Sequence, residues 1–255
     1  MLTESNDNIQ TIERAFLALE TISRIEPVNF TDLQKKLGLN KASLSRIINT
    51  LISIGYIQKN QQNGALSLTL KAYEVGISAV QNQNQISLIN STLVDLRNDT
   101  GLICQFSIED NNELICLQSI GYENSVFSVH TNVGMRSPLY CTSAGKSILA
   151  TYSNIEIMEK WKNFNVRPLT PNTHTDVQSL LKDIDEIRRR GYALDMEEND
   201  YGLFCLGTVI MNHARTPIGA ISVSGSSMTP EEEERLSKIV TQYARRLSSL
   251  LGYTL

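Results

Sequence analysis

Cysteine, histidine, tryptophan and long apolar runs are all scarce in this chain of 255 residues. Its four cysteines (Cys104, Cys116, Cys141, Cys205) form no C-x-x-C pair, and its three histidines (His130, His174, His213) stand apart from one another. Such spacing supports neither a zinc site nor a disulfide framework, and no metal ligand or cofactor is expected. The longest apolar stretch free of charge, Leu203 to Met211, falls far short of the roughly 20 residues of a membrane helix. The first seven residues, MLTESND, are polar and acidic and lack the pattern of a secretory signal. Hydrophobic residues at 41% and charged residues at 20% exclude wholesale disorder. The expectation is a reduced, soluble, cytoplasmic protein of one or two domains, with no membrane partner.

What is present is an uneven distribution of charge. The net charge of −4 argues against nucleic acid only as an average. From Thr31 to Lys71 there are six basic residues (Lys35, Lys36, Lys41, Arg46, Lys59, Lys71) and one acid, Asp32, a local +5. Residues 76 to 255 carry 15 basic and 20 acidic groups, a net −5. A basic island beside an acidic remainder is the footprint of a modular DNA-binder, although a solvated helical face has the same look.

Within the island the order of elements is informative. Ile12, Phe16, Leu19 and Ile22 recur at near-helical spacing, and Pro27 ends that helix. Thr31 is placed to cap a second helix, which Gly38 terminates in a left-handed conformation. A third helix buries Leu44, Ile47, Ile48, Leu51 and Ile52. Its other face presents Lys41, Ser43, Ser45, Arg46, Asn49 and Thr50, groups that bond base edges and phosphates, with no acid among them. Two short strands around Asn63-Gly64 read as a hairpin, with Lys59 in reach of a flanking phosphate. Helix, helix-turn-helix and hairpin is the order of a winged helix-turn-helix, whose recognition helix enters the major groove. Trihelical basic domains also bind proteins, so helix order alone leaves both partners open.

The segments Arg14-Ala15-Phe16, Leu33-x-x-x-Leu37-Gly38-Leu39, Lys41-Ala42-Ser43-Leu44-Ser45-Arg46-Ile47-Ile48 and Gly55-Tyr56-Ile57 resemble the DNA-binding half of IclR-type bacterial transcription regulators. Ala42-Ser43 stands where the family usually has Ser-Thr. The resemblance continues through Val133-Gly134, Ser143-Ala144-Gly145-Lys146-Ser147, Arg188-x-x-Gly191-Tyr192-Ala193-x-Asp195-x-Glu197-Glu198, Cys205 and Gly219-Ala220-Ile221-Ser222-Val223-Ser224-Gly225. It departs at Val209, commonly proline in the family. It retains the family's arginine as Arg46, and with the exposed face of the third helix and the hairpin lysine the expected DNA-contact set is Lys41, Ala42, Ser43, Ser45, Arg46, Asn49 and Lys59.

Residues 70 to 100 keep helical periodicity around a polar run, Gln81 to Gln85, without Gly or Pro. A linker helix over 76–100 is expected, interrupted or not within that run, between a DNA-binding domain at 1–75 and a sensor domain at 101–255. From Gly101 the periodicity falls to two. Strands are expected at 102–108, Glu113–Ile120, Ser125–His130, Gly191–Met196, Leu203–Met211 and Pro217–Ser224. Helices are expected after Ser143, at Asp176–Arg190, and from Thr229-Pro230-Glu231-Glu232, a capping box with Pro at the first helical position. Its stripe is Leu236, Ile239, Val240, Tyr243, Leu247 and Leu250. The fold class is α+β, and the resemblance implies a GAF/PAS-like effector domain.

Alternation along the strand near 220 puts Ala220, Ser222 and Ser224 on one face, leaving volume for a ligand, and Ile221 and Val223 on the other. A helix beginning at Ser143 offers unpaired amides that favour a carboxylate. The resemblance carries an effector pocket onto Ser143, Ala144, Asp195, Cys205, Ser222 and Ser224. Tight packing of these serines is the bland alternative. Gly145-Lys146-Ser147 lacks the earlier glycine of a phosphate-binding loop, since Tyr140 stands there. Cys205 or Cys141 would need a base to act as a nucleophile and reads as a buried thiol. Glu197-Glu198 reads as structural hydrogen bonding and Arg188-Arg189-Arg190 as a solvated helix end, with a structural acid partner for Arg188 as the alternative.

Together these features predict a ligand-responsive regulator rather than an enzyme: a repressor of a catabolic operon, acting as a homodimer or dimer of dimers on a palindromic double-stranded operator, with a small organic or sugar-derived acid as effector. An enzyme built on Cys205 or Asp195, and a protein-interaction adaptor, are the competing classes.

Overall fold

The computed structural model describes residues 9–78, 83–121 and 133–253. The chain divides into two compact units, Met1–Asn82 and Gln83–Leu255.

The first unit opens with α1 (Gln10–Ile25), α2 (Phe30–Leu37) and α3 (Lys41–Ser53). A hairpin of β1 (Ile57–Lys59) and β2 (Leu66–Leu68) follows, then α4 (Leu70–Ser78). The helices close on Ala18, Ile22, Leu33, Leu44, Ile47, Ile48 and Leu51, and Ile57 and Leu66 of the hairpin join the same core. Three local expectations are corrected. The buried stripe of α1 runs through Ala18 and Ile22, whereas Ile12 and Phe16 are exposed. The small Ala18 side chain permits close helix packing, a signal hidden when only large residues are counted. The second helix begins at Phe30, with Asn29 at its N-cap and no side-chain cap bond, so Thr31 lies inside the first turn. Antiparallel pairing of Val28 with Leu66 fixes the incoming chain and sets this earlier start. In the hairpin, Gly64 alone of the Asn63-Gly64 pair has positive φ. Asn60 and Asn63 instead act through their side-chain oxygens, which accept from the backbone N–H groups of Gln62 and Ala65.

The expected 76–100 linker divides between the units. Part lies in α4 and part in α5 (Gln83–Thr100), and residues 79–82 are outside the described residues. The strand expected at Ser125–His130 also lies outside them.

The second unit is a six-stranded antiparallel sheet with helices on both faces. Its strands are β3 (Ile103–Asp110), β4 (Glu113–Ile120), β5 (Arg136–Pro138), β6 (Ala193–Met196), β7 (Phe204–Met211) and β8 (Pro217–Gly225). Their order across the sheet is β5-β4-β3-β8-β7-β6. On one face α5 and α9 (Pro230–Leu250) bury Leu93, Leu96, Leu236, Val240 and Leu247 against Cys104, Phe106, Leu206, Ile221 and Val223. On the other lie α6 (Ser143–Leu149), α7 (Asn154–Trp161) and α8 (Val177–Arg190), with a second core that includes Ile148, Leu149, Ile157, Leu180, Ile184 and Ala220. The capping box at Thr229 and Glu232 is formed as its sequence indicates. Leu250 departs from the expected stripe and is exposed, while Ala244 is buried. Arg188 is more than a solvated helix end. It bonds Asn154 Oδ1 at 2.7 Å and the carbonyls of Ala150 and Tyr152 at 3.1 and 2.5 Å, tying the α6–α7 connection to α8.

The first turn of α6 lies directly against the sheet because Gly207 has no side chain. A Cβ there would stand 2.9 Å from the backbone nitrogen of Ala144 and 2.9 Å from the carbonyl carbon of Ser143. At Gly225 the nearest atom would be Leu102 Cδ2 at 3.3 Å, the end of a flexible side chain. Gly207→Ala is therefore expected to destabilise the protein by about 2–3 kcal/mol through overpacking against backbone, and Gly225→Ala by less than about 1 kcal/mol. Urea unfolding of both variants checks the contrast; equal midpoints would show that α6 is free to shift.

Candidate functional site

A cavity opens between the α6 face of the sheet and the start of α6, and the register of the strands explains its lining. Asp195 on β6 stands opposite Cys205 on β7, and Cys205 opposite Ser224 on β8. In the neighbouring row, Gly207 faces Ser222, which in turn faces Gln105 on β3. The sheet thus collects residues more than a hundred positions apart. Ser143 and Ala144, after the N-cap Thr142, supply the wall opposite the sheet. All six residues nominated from the sequence, Ser143, Ala144, Asp195, Cys205, Ser222 and Ser224, line this one cavity. Alternation along β8 explains the last pair, since Ile221 and Val223 point into the opposite core. Gln105, Ser107, Cys116, Thr142 and Asn199 also line it and were not nominated. For Gln105 and Ser107 the signal existed, because they alternate with the core residues Cys104 and Phe106.

The cavity is small, about 50 Å³. A dry cavity that admits benzene has roughly 150 Å³, so a ring-sized ligand requires the walls to separate. The polar character is concentrated at one end. Asp195 is buried, and its Oδ1 accepts the backbone N–H of Glu198 at 2.8 Å and that of Asn199 at 3.4 Å. Burial, reinforced by the nearby Glu198 carboxylate, pushes its pKa up to about 7 despite those bonds. Cys205 Sγ and Ser224 Oγ are 3.2 Å apart. Burial and the Asp195 carboxylate push the Cys205 thiol up, so a reactive thiolate is disfavoured.

Next to the cavity, Lys146 extends from α6 into an almost fully buried position. Its Nζ donates to Glu198 Oε1 at 2.5 Å and to Asp183 Oδ2 at 2.6 Å. Burial opposes ionisation of Asp183, but His174, Lys146 and Arg190 outweigh it and hold the pKa down at about 2. Glu198 is raised by burial, which Lys146 and His174 offset only in part. The lysine thus serves ion pairing, and Glu197 accepts the Gly202 N–H at 2.7 Å, so both adjacent acids are structural.

In the first unit, Asn40 caps α3 by accepting the Ser43 N–H at 2.8 Å. Lys41, Ala42, Arg46 and Asn49 are exposed; Ser43 and Ser45 are half-buried. Thr50 donates its hydroxyl to the Arg46 carbonyl at 2.9 Å, which commits its proton within the helix. Lys59 is exposed on β1. Lys71, counted in the basic island, is instead engaged locally: its Nζ donates to the Ile54 carbonyl at the end of α3 at 2.6 Å and lies over the Tyr56 ring. Arg14 of α1, not nominated from the sequence, borders one groove together with Ser43, Arg46 and Thr50.

Residues 77–249 match the family model for the C-terminal part of the bacterial transcriptional regulator IclR. The chain belongs to the IclR family. Within this IclR-family chain, residues 13–64 also match the model of the MarR family. The DNA-binding transcriptional repressor YiaJ of Escherichia coli is 28% identical over 250 residues, covering 96% of this chain and 89% of that protein. The Thermotoga maritima IclR crystal structure superposes with a TM-score of 0.81 at 29% identity, covering 96% of this chain and 100% of the other. An IclR homologue from Microbacterium hydrocarbonoxydans, crystallised with 4-hydroxybenzoate, has the same fold with a TM-score of 0.82 at 16% identity, over 94% and 98% of the two chains. No helix of the described residues is long and apolar enough to cross a membrane.

Asp195 gives the IclR-family cavity a pH signature. Its unfolded form ionises near the ordinary value of 3.8, whereas the folded form stays protonated up to about 7. Its contribution to stability is thus full below the lower value and is lost as pH rises toward the upper one. Relative to wild type, Asp195→Asn is expected to gain about 2–3 kcal/mol of stability between pH 5 and pH 8. Urea unfolding at the two pH values measures it; parallel wild-type and variant profiles would refute a protonated Asp195.

Proposed function

We propose that this chain is a ligand-responsive, DNA-binding transcription regulator in which the first unit reads an operator and the second binds a small effector. The observation that carries the reading is the cavity: hydroxyls, two thiols and one buried carboxyl, brought from all six strands of the sheet and the start of α6 to a single point. The acid-free exposed face of α3, from Lys41 to Asn49, supplies the output. Lys41, Ser43, Ser45, Arg46 and Asn49 meet base edges and phosphates, Ala42 packs on the groove floor, and Lys59 contacts a flanking phosphate. Repression is the assigned sense of control, supported by the likeness to YiaJ, which is named a repressor. The protein acts in the cytoplasm as a homodimer or dimer of dimers, so its operator is palindromic, with half-sites roughly 10 bp apart or a multiple of that. We read it as a regulator rather than an enzyme; for Cys205, burial disfavours the thiolate that a nucleophile would need.

The effector is a small organic or sugar-derived acid. The homologue crystallised with 4-hydroxybenzoate supports a carboxylate ligand, and Ser143, Ser222 and Ser224 supply hydroxyls to hold one. Asp195 opposes an anion beside it when ionised, so the ligand's neutral, hydroxyl-bearing end faces Asp195 and its carboxylate faces Ser143 and Ala144. Entry widens the cavity, and the effector acts by favouring the widened state over the closed one. Only such differential affinity shifts an equilibrium.

Arg46→Ala is expected to weaken operator binding by about 1–3 kcal/mol, roughly tenfold or more, with unchanged circular dichroism. Full affinity in a titration of the variant would remove Arg46 from the contact set. Ser222→Val should keep DNA binding and lose release by the acid that acts on wild type; release at the wild-type concentration would displace the site. If a thermal-shift screen found stabilisation by neutral or cationic compounds only, the acid assignment would be wrong.

A further inference from the structure

Beside the Lys146 ion pairs, three groups converge without an evident partner for all their lone pairs. Lys146 takes Glu198 Oε1 at 2.5 Å, but Glu198 Oε2 is buried with no hydrogen-bond partner among the described residues, in a residue only 6% exposed. Facing it is His174, whose Nε2 lies 3.6 Å from Glu198 Oε2 and 3.6 Å from Asp183 Oδ2. The tautomer of His174 follows from its other nitrogen. Nδ1 is 3.1 Å from Ser179 Oγ, and the Ser179 hydroxyl donates its single proton to the Asp176 carbonyl at 2.9 Å. With that proton directed to Asp176, Ser179 Oγ is placed to accept from Nδ1–H. In the neutral ring the Nε2 lone pair is then aimed at two carboxylate oxygens, an arrangement that is repulsive unless a positive centre lies between them.

A proton on Nε2 gives only long ion-pair contacts, because 3.6 Å is beyond a short, direct hydrogen bond to either oxygen. A metal ion fits the spacing. Bonds of about 2.0–2.2 Å to nitrogen and oxygen in tetrahedral geometry give ligand–ligand edges of roughly 3.3–3.6 Å. The three ligand atoms all lie within 4.8 Å of one another, and His174 and Asp183 are only half-buried, so solvent reaches the site. We propose that His174 Nε2, Asp183 Oδ2 and Glu198 Oε2 form a binding site for a divalent transition-metal ion, Zn²⁺ above all, with a fourth position left to water. The two carboxylates offset the ion's charge in part, since they share it with Lys146, and Ser179 is the outer-shell group that fixes the imidazole. Lys146 stays in place, since it holds Glu198 through the other oxygen and Asp183 Oδ2 retains a second lone pair. None of the three ligands lines the effector cavity, so the site is separate from it and stands independently of the regulator reading. The separations His174 to Asp183 and Asp183 to Glu198 match no zinc motif, which is why the spacing of cysteines and histidines gave no hint of it.

The test uses full-length protein stripped with chelator and titrated with ZnCl₂ by calorimetry, and with Co²⁺ by absorption. One equivalent of Zn²⁺ per chain is expected, with a Co²⁺ spectrum free of thiolate-to-metal charge transfer. His174→Ala should abolish uptake, and Ser179→Ala should weaken it about 10–100-fold, while His213→Ala leaves it unchanged. Ser179→Ala carries the same test if His174→Ala does not fold. No stoichiometric uptake by wild type, uptake that survives loss of His174 or is indifferent to Ser179, or a thiolate band pointing to the cysteines would each overturn the site.

Discussion

The closeness of α6 to the sheet is the constraint on which the rest of the second unit depends. Gly207 leaves no room for a side chain between β7 and the backbone at Ser143 and Ala144. Gly145 meets the same limit on its other side, where a Cβ would come 2.4 Å from the Leu139 carbonyl oxygen. Gly207 thus sets the height of the helix above the strands, and Gly145 lets the 139–142 segment fold closely onto the first turn of α6. That height decides which strand residues face a void and which face α6, and it delivers Lys146 to Asp183 and Glu198.

The polar interior next to α6 is organised in two zones with different logic. In the cavity, Asp195 lacks a direct cationic partner among its hydrogen bonds and is held by backbone N–H groups, so burial dominates and favours its neutral form. Around Lys146 the charges are paired, and the same burial is outweighed at Asp183. Pairing a buried lysine with two carboxylates leaves a strong penalty for removing any one partner, since the others are then stranded away from water. The pairs link α6, α8 and the segment after β6, three elements that otherwise meet through apolar packing.

How much of this was legible in the sequence depended on how local the responsible interactions are. Periodicity two exposed the two faces of β8, and the Thr229 capping box marked the start of α9, because each signal is complete within a few residues. The order of the helix-turn-helix and hairpin was readable for the same reason. The short β5 and the start of α2 were not, as each is set by a distant partner such as the Val28–Leu66 bridge, whereas α7 carries a local capping box, Ser153 and Glu156, that was passed over. Small residues misled as well: Ala18 carries the α1 contact while the larger Ile12 and Phe16 remain outside. In the candidate cavity the nominated residues came from resemblance together with alternation; Gln105 and Ser107 had the same alternation signal, whereas Asn199, in the segment after β6, carried none. Lys146 was dismissed with an imperfect phosphate-loop motif, and its burial follows from long-range carboxylates that no spacing rule reports.

Strand β8 occupies the middle of the sheet, bonded to β3 on one side and β7 on the other. Ser222 and Ser224 look toward the cavity, while Ile221 and Val223 between them press on the layer formed by α5 and α9. It therefore behaves as a diaphragm. Whatever pushes the serines outward pushes the intervening aliphatic side chains against a helix that begins at the very edge of the unit. On the effector reading proposed above, an alteration in α5 or α9 that makes such bowing easier would by reciprocity raise affinity in a chamber it never touches, and the helices behind the sheet would then belong to the sensor as much as the residues that line it.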